Sequence, residues 1–175
     1  MDNKKLLRKK MSAVNGDFTL IDDMIMQALI ETEHYKHAKN IFIYYSVLNE
    51  VNTHKIISHA LENKKMVYIP RCVGDYMELV SIKRIEDISS VDKWGIPTAS
   101  HPAQNVCIDL AVIPAVCFDK NKYRLGRGKG YYDRFLKDYN GISIGLTRFD
   151  SLQDRVPTET HDIPVDYIVT ERGCF

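Results

Sequence analysis

Asp109-Leu110-Ala111-Val112-Ile113-Pro114 is followed shortly by Arg124-Leu125-Gly126-Arg127-Gly128-Lys129-Gly130-Tyr131-Tyr132-Asp133-Arg134. The first stretch is an apolar run closed by proline, too short for a helix and β-prone, so it reads as a buried strand. The second is a glycine-rich turn that passes into a helical pattern over residues 130–139. Strand, turn and helix in this order are the repeating unit of a sheet with parallel strands.

The same alternation extends to both sides. Residues 41–46 (Ile-Phe-Ile-Tyr-Tyr-Ser) predict a strand, and residues 53–62 a helix with Thr53 as its N-cap. Residues 66–69 predict a second strand stopped by Pro70, and residues 76–81 a third. Residues 109–114 are the fourth, 142–146 the fifth and 167–170 the sixth. Residues 2–37 are helical in pattern, with one stripe at Leu6, Leu7 and Met11 and another at Ile21, Met24, Ile25, Ala28 and Leu29. Gly16 and Asp17 separate the stripes, and Asp17 or Thr19 caps the second helix. Residues 97–105 read as a loop. The expected architecture is α/β and three-layer: a Rossmann-like, open and largely parallel sheet with helices on both faces. At 175 residues the chain suits one domain, residues 1–175.

Composition narrows the function classes. The formal net charge is +1 and 27% of residues are charged, so no global field favours nucleic acid or an acidic membrane. No apolar stretch approaches the roughly 20 residues that cross a bilayer. The N-terminal stretch, residues 1–11, is polar and basic without the apolar core of a secretory signal. Four cysteines, Cys72, Cys107, Cys117 and Cys174, form no C-x-x-C pair and read as free thiols. The expectation is a cytoplasmic protein that binds neither nucleic acid nor membrane.

The segment 124–134 carries the chemistry. Gly126, Gly128 and Gly130 let the backbone bend and let a ligand approach closely. Successive amides in such a turn form an anion nest, and the following helix aims its positive end at the same place. Arg124, Arg127, Lys129 and Arg134 add charge suited to a polyphosphate. Neither a G-x-x-x-x-G-K-[ST] loop nor a G-x-G-x-x-G fingerprint is present. On spacing alone, a flexible basic loop stays an alternative. Arg148, just after the strand at 142–146, is a further candidate ligand contact.

The run Gly126-Arg127-Gly128-Lys129-Gly130-Tyr131-Tyr132-Asp133 closely resembles the signature loop of the 5-formyltetrahydrofolate cyclo-ligase family. Lys4-Lys5-Leu6-Leu7-Arg8 resembles that family's N-terminal K-x-x-L-R element. Tyr44-Tyr45-Ser46 through Glu50-Val51-Asn52-Thr53 resembles its segment after the first strand. Trp94-Gly95-Ile96-Pro97 and His161-Asp162-Ile163-Pro164-Val165-Asp166 resemble two later elements. The elements occur in the family's order and span nearly the whole chain.

The resemblance implies an ATP- and Mg²⁺-dependent enzyme that acts on 5-formyltetrahydrofolate as a monomer. It implies ATP binding by Lys4, Arg8 and Arg124, Leu125, Gly126, Arg127, Gly128, Lys129, Gly130, Tyr131 and Tyr132. It implies catalysis by Arg127, Lys129 and Tyr132, and folate binding by Glu50, Val51, Trp94, Tyr131 and Tyr132. Mg²⁺ falls to Asp133 and Asp162. Taken without the resemblance, Lys4 and Arg8 suit a solvated helix face, Asp133 a first-turn carboxylate and Asp162 a turn residue. Two competing readings are an ATP- or phosphosugar-binding α/β enzyme without folate specificity and a non-catalytic RNA-binding module. Glu50 and Trp94-Gly95-Ile96-Pro97 count against the former, and the net charge of +1 against the latter.

Overall fold

The computed structural model describes residues 3–175; Asp2, where the predicted N-terminal helical stretch begins, lies outside them. That stretch divides into α1 (Asn3–Ser12), α2 (Thr19–Ile30) and α3 (Glu33–His37). Asp17 accepts the amide of Thr19 at 3.0 Å and its hydroxyl at 2.6 Å, which fixes the entry to α2. Thr32 caps α3 by accepting the Tyr35 amide at 3.1 Å.

After these come β1 (Asn40–Ile43), α4 (His54–Glu62), β2 (Met66–Val73), β3 (Tyr76–Ile82), β4 (Ser90–Val91) and β5 (Pro97–Thr98). They are followed by β6 (Leu110–Ile113), β7 (Cys117–Phe118), β8 (Arg124–Leu125), α5 (Tyr131–Lys137), β9 (Ile142–Leu146), β10 (Tyr167–Thr170) and β11 (Gly173–Cys174). Seven strands form one sheet in the order β11-β10-β9-β6-β1-β2-β3. The five central strands pair in parallel, and an antiparallel strand closes each edge.

Side chains alternate across this sheet as the two-residue period requires. Ile41, Ile43, Val67, Leu110, Val112 and Ile144 face one side, where they pack with Ile25 and Leu29 of α2, Tyr35 of α3 and Ile56, Ile57 and Ala60 of α4. Phe42, Tyr68, Ala111, Ile113 and Ile168 face the other, with Leu136 of α5 and Phe118 of β7. The result is the expected three layers. No helix among the described residues is long and apolar enough to cross a membrane.

Several boundaries differ from the sequence reading. Pro70 does not stop β2, which runs on to Val73 opposite β3. The Pro70 carbonyl accepts the Thr98 hydroxyl at 2.9 Å. In a strand the N and O of one residue point the same way, so the missing N–H faces Thr98 and β3 loses no bond. The first strand ends at Ile43 because residues 44 and 46 bond to Thr53 instead of a neighbouring strand. The Thr53 hydroxyl donates to the Tyr44 carbonyl at 2.7 Å and accepts the Ser46 amide at 3.0 Å. Thr53 is thus used up as a clasp, and Asn52 accepts the His54 amide in the first turn of α4. The loop predicted at 97–105 begins with β5, which pairs with β4.

One contact sets how tightly β7 can lie on the sheet. Gly145 in β9 has the Phe118 ring against it, and a Cβ there would sit 2.3 Å from that ring. We expect Gly145→Ala to lower stability in urea denaturation by about 2 kcal/mol through overpacking. Phe118→Leu, added to Gly145→Ala, should restore part of that loss. Unchanged stability in the single variant would show that β7 can move away freely.

Candidate active site

The cleft lies beyond the carboxyl ends of β1 and β6, where an open α/β sheet places its ligands. It has a volume of about 730 Å³. Its walls come from residues 44–50 after β1, from β2, from the segment 92–96, from residues 124–133, from α1 and from residues 159–162.

The glycine loop is held at both ends. Arg124 at its start has a side chain only 4% exposed, and donates to Asp133 Oδ1 at 2.6 Å and to the Ile163 carbonyl at 2.7 Å. Burial pulls the Arg124 pKa down, against the adjacent Asp133 carboxylate, which holds it up. Leu125 is buried with Met11, Cys117 and Val156. These two residues anchor the loop: Arg124, expected as an ATP contact, lines the cleft but gives two of its donors to protein. Gly128 and Gly130 have φ of +88° and +67°, a region costly for other residues. Arg8 donates to the Gly126 carbonyl at 2.9 Å, and its guanidinium lies 3.3 Å from where a Gly128 Cβ would sit. That contact ties α1 to the loop.

Lys4 bonds Asp162 at 2.8 Å and Glu159 at 2.9 Å. Burial opposes its charge, but these two partners outweigh it and raise its pKa. Asp162 also accepts the Glu159 amide at 2.7 Å. Burial opposes the Asp162 charge as well, and Lys4 with that amide more than compensates, so the carboxyl lies below its ordinary value. His161 joins the same wall. Sequence reasoning missed Glu159 and named His161 only within a motif, because only the packing of α1 against this segment gives them a place.

Arg127 and Lys129 point across the cleft. Arg127 is 47% exposed and donates to Glu50 Oε1 at 2.9 Å, while Glu50 Oε2 accepts the Val47 amide at 3.0 Å. Lys129 sits 4.4 Å from the centre of the Trp94 ring and has no carboxylate partner among the described residues. The Trp94 indole N–H donates to the Tyr131 hydroxyl at 3.3 Å, and that hydroxyl donates to the Gly74 carbonyl at 2.9 Å. Asp92 holds the Trp94 and Ile96 amides, which positions the indole on the rim. Tyr132 packs on Phe42, and burial pushes its hydroxyl far above the ordinary tyrosine value, so it stays protonated.

Two predicted contacts are placed otherwise. The Val51 side chain is buried in the core outside the cleft, and its carbonyl accepts the Tyr44 hydroxyl at 3.0 Å. Arg148 does not face the cleft: it pairs with Asp22 at 2.8 Å and donates to the Asn49 and Glu50 carbonyls. Its part is to brace the loop that carries Glu50. Cys72 lines the cleft, with its thiol pushed up to about 12 by burial and by Asp92, so it stays neutral. All four cysteines are free.

The Lys4–Asp162 pair has a definite pH signature. The folded protein holds Asp162 as carboxylate where the unfolded chain takes up a proton. Its contribution is therefore complete above about pH 4 and is lost as pH falls through the lower folded value. Lys4 contributes in the opposite sense, losing its share only as pH rises above about 10.5. Denaturation of the wild type and Asp162→Asn between pH 2 and 6 should show the two stability curves converging below pH 4. Parallel curves across that range would mean that ionisation of Asp162 is not linked to stability.

A sequence model of the 5-formyltetrahydrofolate cyclo-ligase family matches residues 2–171. The mouse 5-formyltetrahydrofolate cyclo-ligase is 29% identical over 182 residues, covering 94% of this chain and 90% of that protein. A probable 5-formyltetrahydrofolate cyclo-ligase of Schizosaccharomyces pombe is 28% identical, covering 83% and 81%. The solution structure of a 5,10-methenyltetrahydrofolate synthetase from Aquifex aeolicus superimposes with a TM-score of 0.84 at 29% identity, covering 98% of this chain and 91% of that one. A second 5,10-methenyltetrahydrofolate synthetase, from Mycoplasma pneumoniae, gives 0.76 at 25% identity, covering 98% and 99%. With the glycine loop, Glu50, Trp94 and the Lys4–Asp162 wall converging on one cleft, and with this match over nearly its whole length, the chain belongs to the 5-formyltetrahydrofolate cyclo-ligase family.

Proposed function

We propose that this cleft closes 5-formyltetrahydrofolate to 5,10-methenyltetrahydrofolate with consumption of ATP, in one domain (residues 1–175) that acts as a cytoplasmic monomer without nucleic-acid or membrane partners. The observation that carries this reading is the facing pair of loops: a glycine loop bearing Arg127 and Lys129 opposite a loop bearing Glu50. One side suits a triphosphate and the other suits the N–H donors of a pterin.

In the proposed reaction the formyl oxygen attacks the γ-phosphorus of ATP and ADP leaves. N10 then attacks the carbon of the phosphorylated formyl group, the ring closes with loss of the N10 proton, and phosphate departs. Phosphorylation turns a poor leaving oxygen into a good one, so the protein's task is positioning and charge stabilisation. The amides of Gly126, Gly128 and Gly130 cradle the triphosphate between the anchors Arg124 and Leu125. Arg8 and Lys4 line the same wall, with Arg8 keeping the loop open through the Gly126 carbonyl. Lys129, unpaired by any carboxylate of the described residues, meets the charge on the transferred phosphoryl group. Arg127 leaves Glu50 for the phosphates, and the freed Glu50 oxygen accepts pterin N–H groups. Trp94 and Tyr131 wall the folate, Tyr132 donates a hydrogen bond to it, and Val51 supports Glu50 from the core.

Asp133 and Asp162 both line the cleft, but each already bonds a cation, and no group of three His, Cys, Asp or Glu among the described residues forms a metal site. That donor set fits Mg²⁺ held by one or two carboxylates together with phosphate oxygens and water. When bound, the ion would neutralise charge on the phosphates.

The test is absorbance at the methenyl chromophore, with 5-formyltetrahydrofolate, ATP and Mg²⁺ each omitted in turn. Asp133→Ala is a poor control, because it leaves Arg124 buried and unpaired and should cost about 3 kcal/mol of stability. Lys129→Met is better, since the ammonium is on the rim. We expect product only with all components, and a loss of about 100-fold in kcat for Lys129→Met at unchanged Tm. A folded wild type that yields no product would refute the assignment.

A further inference from the structure

Leu48 combines two costly features. Its φ is +54°, a left-handed conformation that disfavours a branched side chain, and it is 85% exposed. The Glu50 amide donates to the Val47 carbonyl at 3.3 Å, so residues 47–50 form a β-turn with Leu48 at the first central position. Asn49, the second central residue, is not in the positive-φ region. A positive φ at a central turn position is where glycine or asparagine normally stands.

The turn is tied down on every side of that leucine. Val47 donates its amide to Glu50, the Asn49 side chain donates to the Val14 carbonyl at 3.1 Å, and Arg148 holds the Asn49 and Glu50 carbonyls. The Leu48 side chain itself stays exposed, and it lines the mouth of the cleft beside Glu50. Strain of this kind persists where surrounding contacts over-determine it, and it concentrates at ligand sites.

We propose that Leu48 is a substrate-contact residue: a preformed apolar clamp over the planar ring system of the folate whose N–H groups Glu50 accepts. The inference rests on the assignment of Glu50 to the folate side. Folate binding covers the exposed leucine, which the empty protein must hold in water. ATP, on the glycine loop across the cleft, does not touch it.

Turnover by the wild type is read first and answers for the assigned reaction; affinities in variants then answer for Leu48. The variants are Leu48→Gly and Leu48→Asn, which both accept a left-handed backbone, and Leu48→Met, which keeps an apolar side chain. Binding of 5-formyltetrahydrofolate is followed by fluorescence of Trp94, the sole tryptophan. The expected result is Kd for folate raised about tenfold in the glycine and asparagine variants, with KM for ATP and Tm unchanged, and near-wild-type binding in Leu48→Met. Unchanged folate affinity in well-folded Leu48→Gly and Leu48→Asn would overturn the proposal. So would equal weakening of folate and ATP with a lowered Tm, because Leu48 would then serve the fold of the turn alone.

Discussion

The Arg124 guanidinium lies almost wholly buried between the Asp133 carboxylate and the Ile163 carbonyl, and it ties down the base of the glycine loop. Three glycines within five residues lose much conformational entropy on ordering. Arg124 precedes them and Asp133 follows them, so their ion pair closes the loop at its base. The third partner, Ile163, brings the segment carrying Asp162 to the same wall. A buried charge pair adds little net stability against apolar replacements, yet losing one partner strands the other. The value of the pair lies in register: it fixes where the loop amides point. Arg8, through the Gly126 carbonyl, then fixes how far the loop stands from α1.

The sheet was readable because its central strands are buried on both faces. Residues 142–146 and 167–170 have the same limits in the sequence reading and in the fold, since each is a short apolar run bounded by polar residues or glycine. Reading failed where a side chain took over a backbone role. Thr53 stands at the N-cap of α4 as read, but its hydroxyl clasps Tyr44 and Ser46 and does not cap the helix; Pro70 looked like a stop and is tolerated because its nitrogen faces Thr98. The two-residue strands β4, β5, β7, β8 and β11 carry no period of their own and arise from long-range pairing.

The site was legible as a list of residues but not as a division of labour. Spacing grouped Arg124, Arg127 and Lys129 as like charges around a phosphate. The fold separates them by burial: Arg124 is spent on structure, Lys129 is left open on the Trp94 ring, and Arg127 stands between. Arg148 shows the same limit, since its partner Asp22 lies in α2, far away in sequence. A basic residue after a strand looks the same in sequence whether it meets a ligand or braces a loop.

Arg127 and Glu50 link the two halves of the cleft. Their side chains are 47% and 12% exposed, so the arginine can be drawn into water or onto a phosphate at small cost, whereas the carboxylate cannot lose its partner without replacement. On the proposed reading that replacement is the pterin, whose N–H groups satisfy the oxygen that Arg127 vacates. On the same reading, ATP without folate would leave that Glu50 oxygen without its cation, and folate without ATP would displace Arg127 into water. On that reading each substrate favours the side-chain arrangement that the other needs. The coupling needs no moving domain, only a half-exposed guanidinium with two anionic destinations a side chain's length apart.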